Sequence, residues 1–141
     1  MAITSAIANS FKVEVLTESH NLTNGADTIK LALFTSSATM GAGTTAYSTS
    51  QEASGTNYSA GGANLTNVTP ALSGSTAVVD FADLTFSTAT VTARGCLIYN
   101  STNSNKAICA IDFGGDKTST AGDFTVVFPS ATATGAIIRL A

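Results

Sequence analysis

Ala89-Thr90-Val91-Thr92-Ala93-Arg94-Gly95-Cys96-Leu97-Ile98-Tyr99, followed by Asn100 to Asn105 and then by Lys106-Ala107-Ile108-Cys109-Ala110-Ile111-Asp112-Phe113, is the stretch that decides the fold. In an extended chain, side chains alternate between two faces. Val91, Ala93, Gly95, Leu97 and Tyr99 therefore share one face, and Thr90, Thr92, Arg94, Cys96 and Ile98 share the other. The intervening Asn, Ser and Thr residues favour a turn, so the stretch reads as a β-hairpin. Folding it about Thr102 and Asn103 puts Cys96 and Cys109 roughly opposite each other, a possible cross-strand thiol pair. Bridging depends on that register and on an oxidising setting. The spacing of these two cysteines matches no C-x2-C metal pair, and in an intracellular chain the expectation is two free thiols packed as small hydrophobes.

Further along the chain, Gly114 to Gly122 is polar and glycine-rich and reads as a second turn. Phe124 to Phe128 reads as a strand stopped by Pro129, and Ala136 to Leu140 as a last short strand. Upstream, Leu84 and Phe86 supply apolar anchors, while Leu65 to Thr69 and Ala77 to Phe81 are short strand candidates separated by Pro70 and Gly74. The Gly61-Gly62 pair suggests a bulge or a close backbone approach. Thr28 to Thr35 places Ile29, Leu31 and Leu33 on one face and Ala32 and Phe34 on the other, which predicts a strand buried on both sides. Ser19 to Asp27, with His20 and Asn24-Gly25, reads as a turn.

From Ile3 to Glu18, Ile3, Ile7, Phe11 and Val15 recur every four positions and predict one short N-terminal helix, with Thr4 or Ser10 as candidate caps. Lys12 to Val15 also alternates with period two, so the same residues admit a strand. Ser36 to Asn57 has no sustained period and exceeds the usual loop length. It is expected to be flexible or ordered by a partner. About seven or eight strands with one helix define a mostly β chain, an antiparallel β-sandwich or jelly roll. Residues 1–141 form one domain by length, and a chain this size buries roughly 68–70% of its unfolded surface.

Only 11% of the residues are charged, against roughly 25% in ordinary soluble domains. Ser, Thr and Asn supply the remaining polarity, so the surface repels little and can pack closely. The net charge of −3 leaves no basic footprint for phosphates, which argues against nucleic acid. The longest apolar runs fall far short of the roughly 20 residues of a spanning helix, so no membrane partner is expected. Met1 to Asn9 lacks a charged region followed by an apolar one, so the expected compartment is the cytosol.

Candidate chemistry is sparse. Nucleophilic catalysis needs a base beside the nucleophile, and the only histidine is His20; there is no G-x-S-x-G elbow. Asp112-Phe113-Gly114-Gly115-Asp116-Lys117 imitates a kinase Asp-Phe-Gly run, but the companion motifs are missing and it reads as a strand end entering a glycine turn. Asp112, Asp116 and Asp123 could gather oxygen ligands for Ca²⁺, although their spacing fits no EF-hand. Asp80 and Asp83 adjoin an apolar segment rather than an aromatic cleft, and the chain has no Trp. Asn21, Asn57, Asn64, Asn67 and Asn100 each begin an N-x-[ST] triplet of the kind chance produces in a Ser/Thr-rich chain. The residues thus predict no enzyme, no cofactor and no metal.

Thr28 to Thr39, Tyr58 to Gly62, Ala93 to Asn100, Ile111 to Asp116 and Ala136 to Leu140 together resemble small structural proteins of tailed bacteriophages. Size and pattern are similar to capsid decoration, or cement, proteins. The resemblance covers most of the chain and implies a jelly-roll domain on the virion capsid surface that clamps neighbouring subunits of the major capsid protein. Greek-key domains of this kind commonly self-associate through strand edges or faces, so a dimer or a trimer is expected. The resemblance also leaves a tail, baseplate or fibre component open. A carbohydrate-binding module is the alternative of another class, and exposed Tyr47, Tyr58 or Tyr99 would distinguish it.

Overall fold

The computed structural model of the chain describes residues 2–141. Its elements are β1 (Ala6–Ile7), α1 (Asn9–Leu16), β2 (Ile29–Phe34), β3 (Ala63–Asn64), β4 (Asn67–Ser73), β5 (Thr76–Phe81), β6 (Leu84–Asn100), β7 (Lys106–Val126) and β8 (Ile138–Leu140). They form two antiparallel sheets, one of five strands in the order β1-β7-β6-β2-β3 and one of three in the order β4-β5-β8. Both feed one hydrophobic core, in which Val79, Phe81 and Ile138 of the small sheet join Phe86, Phe124 and Val126 of β6 and β7 and Ile29, Leu31 and Leu33 of β2. The architecture is the expected mostly β, sandwich-like one. Its strand order does not by itself trace the double Greek key of a jelly roll.

β2 lies between β6 and β3, and five of its six residues are buried, so its apolarity on both faces has the predicted cause. The hairpin is longer than its sequence signal. β6 and β7 pair from Asn100↔Lys106 out to Leu84↔Val126, which overturns the reading of Gly114 to Gly122 as a turn and of Phe124 to Phe128 as a separate strand. Bulges reconcile composition with pairing. Between Gly95↔Asp112 and Ala93↔Lys117, β7 spans five steps where β6 spans two, and the surplus is looped out around Gly114, whose φ is +83°. The Asp-Phe-Gly look-alike is the start of this bulge.

Bulging also resets the cysteines. The pairs Asn100↔Lys106 and Tyr99↔Ala107 centre the turn on Asn103, and a further shift between Ile98 and Tyr99 makes the next pair Ile98↔Cys109. Cys96 therefore faces Ile111 rather than Cys109. The two thiols are diagonal neighbours on one face, both buried and both free.

The N-terminal helix is shorter than Ile3 to Glu18. Ala6 and Ile7 pair with Ala110 and Cys109 on the edge of β7, and Ile3 bridges Met40, so the arm is extended until Ala8. An unpaired strand edge competes successfully with the helical period. Ile3 also fills the space left by the missing side chain of Gly95, where a Cβ would lie 2.9 Å from Ile3 Cδ1. Neither proposed cap acts: the N-cap is Ala8 without a side-chain bond, Thr4 precedes the helix, and Ser10 lies inside it.

β4 continues through Pro70 because it is an edge strand with a register shift between Val68 and Ala71, where a missing N–H costs no ladder bond. Gly62, at φ +75°, lies so close to the Leu31 carbonyl that a Cβ would overlap it, which is the close approach predicted for the glycine pair.

Candidate functional site

Ser36 to Asn57 carries one charged side chain, Glu52, and the structure is organised around it. The segment runs back over the β2–β6 face, tied by Thr35 N–H to Gln51 O, Ala53 N–H to Leu33 O, Ala107 N–H to Thr45 O and Tyr47 N–H to Asn105 O. Expected to await a neighbour, it thus has backbone partners within its own chain. The bridge Phe34↔Glu52 delivers the carboxylate onto the sheet. Tyr47 Oη donates to its Oε2 at 2.6 Å, while Tyr58 Oη and the Gly61 N–H both donate to Oε1 at 2.7 Å. Tyr58 Oη in turn accepts the Leu33 N–H of β2 at 2.7 Å. Tyr99 Oη donates to Gly61 O at 2.7 Å, and its ring stacks on Tyr47 with centroids 4.5 Å apart. All three tyrosines of the chain are used here.

Charge-assisted bonds of this kind are the strong ones, and a carboxylate accepting three of them is a brace. Burial raises all three phenols above their ordinary range. Donation to Glu52 adds to this for Tyr47 and Tyr58. For Tyr99, pushed up to about 12, the second cause is the Glu52 charge. Neutral phenols donating to a carboxylate that accepts three bonds hold the loop's shape over the sheet. Beside the cluster lies an open groove of about 1000 Å³ lined by Met40, Thr44, Gln51, Phe34 and Leu97 among others, with no charged side chain among its described lining residues.

The aspartates singled out in the sequence are not grouped into a metal site. Asp112 Oδ1 accepts Arg94 Nε–H at 2.8 Å and Gly114 N–H at 3.0 Å, and these bonds lower its pKa. Asp123 accepts the Thr88 N–H, Asp80 the Phe81 N–H and Asp83 the Phe128 N–H, so each of these carboxylates is engaged by a backbone N–H, of its neighbour for Asp80 and of a distant segment for Asp83 and Asp123. Among the described residues no three His, Cys, Asp or Glu side chains are grouped to hold a metal ion. Burial pushes the Cys109 thiol up to about 12 and the Cys96 thiol well above its usual value, which suppresses the reactive thiolate. Of the five N-x-[ST] asparagines, Asn67 and Asn100 are buried. His20 is buried too, bonded to Glu14 and Asn100 rather than presented on a turn.

Sequence reasoning missed the Glu52 cluster. Its one available signal was a lone carboxylate in a neutral segment, with tyrosines five residues before and six after. No known family model, curated protein or solved structure matches the chain. No helix among the described residues is long and apolar enough to cross a membrane.

Proposed function

We propose that the chain is a non-enzymatic structural building block of a tailed-phage virion, a capsid decoration protein by preference, which binds the major capsid protein lattice by repeated non-covalent contact. The sequence resemblance suggests the setting. The observation that carries the contact role is the outer face of the β6–β7 arm. Thr85, Thr90, Thr92, Thr118 and Thr125 are exposed there, and two cross-strand pairs, Thr85 with Thr125 and Thr92 with Thr118, bond hydroxyl to hydroxyl at 3.0 and 2.9 Å. Threonine is stiff at χ1, so it has little rotamer freedom left to lose on contact, and it repels no copy of itself. Many modest contacts over a lattice then add through effective concentration.

The inward tyrosines weigh against sugar binding, since Tyr58 and Tyr99 are buried and Tyr47 is stacked on Tyr99. Sedimentation of purified protein with particles lacking it tests the proposal. Saturation at an integral copy number, weakened by Thr92→Glu, is the expected result. Weak, non-saturating binding that Thr92→Glu leaves unchanged would reject it.

A further inference from the structure

Asn100, fully buried at the end of β6, reveals the protonation of His20. Its Oδ1 accepts the Thr102 N–H at 3.1 Å and the Asn103 N–H at 3.2 Å, which identifies the oxygen end of the amide. The nitrogen end therefore faces Asp27 Oδ2 at 2.7 Å and His20 Nδ1 at 3.2 Å. A donor aimed at Nδ1 requires a lone pair there. The ring proton then sits on Nε2 and is donated to Glu14 Oε1 at 2.9 Å. The His20 side chain has no exposed surface, and Phe11 lies against its ring at 4.9 Å. One imidazole thus joins α1, the Ser19–Asp27 turn and the tip of the hairpin.

We propose that His20 is an acid-operated latch on that tip. The charged groups around it are Glu14 from α1, Asp27 from the turn and Lys106, the register partner of Asn100, from the base of the hairpin turn. Uptake of one proton at Nδ1 opposes two N–H donors, His20 against Asn100. Asn100 cannot reverse its amide without giving up Thr102 and Asn103. Nδ1–H then turns to Asp27, and Asn100 lets go. The Thr102 and Asn103 amides lose their acceptor, and the bond from Asn103 Nδ2 to Ser19 O at 2.6 Å loosens with them.

Nitrogen NMR of the imidazole in the full chain, combined with amide exchange across an acid titration, tests this. The Nε2–H tautomer is expected at neutral pH. As the ring titrates, protection of Thr102 and Asn103 should fall about tenfold, the effect of roughly one buried hydrogen bond, while Leu31 and Ile98 keep theirs. His20→Phe should abolish the pH response. A neutral Nδ1–H tautomer, protection that survives ring protonation, or a pH response that persists in His20→Phe would each overturn the latch. Should His20→Phe fail to fold, the tautomer and protection of the natural chain still decide.

Discussion

In the turn-proximal half of the long hairpin, which is rooted in the core, every residue from Gly95 to Asn100 and from Ala107 to Ala110 is buried, whichever face it points to. In the outer arm of the same two strands, Phe86, Ala89, Val91, Phe124 and Val126 are buried while the threonines between them are exposed. The difference lies in what covers the second face. At the root, Ser36–Asn57 lays Tyr47 and Glu52 over Tyr99, Phe34 and their neighbours. Over the arm, the outer face is left to hydroxyls. One pair of strands therefore yields a core where the loop crosses its face and an exposed hydroxyl face where the loop meets only its edge, through Thr56↔Thr90.

The largest effect should come from the root. Leu97→Ala is expected to cost about 2–5 kcal/mol in urea unfolding, whereas Thr92→Ala in the arm should stay within about 0.5 kcal/mol. Equal costs would erase the distinction. Next in size is Glu52→Ala, which strands two phenols and the Gly61 N–H and should cost about 1–3 kcal/mol. It should also lower the phenol titration midpoints read from ultraviolet absorbance.

Alkali acts on the same cover. The Tyr99 phenol titrates at about 12 in the folded chain against an ordinary 10, so the folded state holds that proton more tightly than the unfolded one. Its contribution to stability is complete below pH 10 and is lost as pH rises through 12. Thermal melting should fall across that window, and a flat profile would show that the phenol contributes nothing. The smallest effect belongs to the arm: a double-mutant cycle on Thr92→Val and Thr118→Val should return a coupling of about 0.2–1 kcal/mol.

Legibility follows the same divide. The root was readable because alternation and a polar turn are local signals, and the β2 strand because it is apolar on both faces. The arm was hidden by Gly114 to Gly122, whose composition suits a turn but whose bulges let it pair. Eight strands agree with the number expected, yet β1 and β3 were not foreseen and Phe124 to Phe128 is no separate strand. The helix was overextended because edge pairing of Ala6 and Ile7 depends on β7, a hundred residues away. The thiol register failed because the turn centre and one bulge each moved it by a residue. The Glu52 cluster assembles Tyr47, Tyr58, Gly61 and Tyr99 through tertiary contacts that no short window contains.

The gathering of every tyrosine about Glu52, in a chain without tryptophan, makes this protein's near-ultraviolet spectrum a local instrument. Emission and dichroism cannot average over scattered rings. A phenol bonded to a carboxylate can pass its proton on excitation, so tyrosinate-like emission would mark an intact cluster, and its disappearance would time the moment when the loop lifts from the sheet.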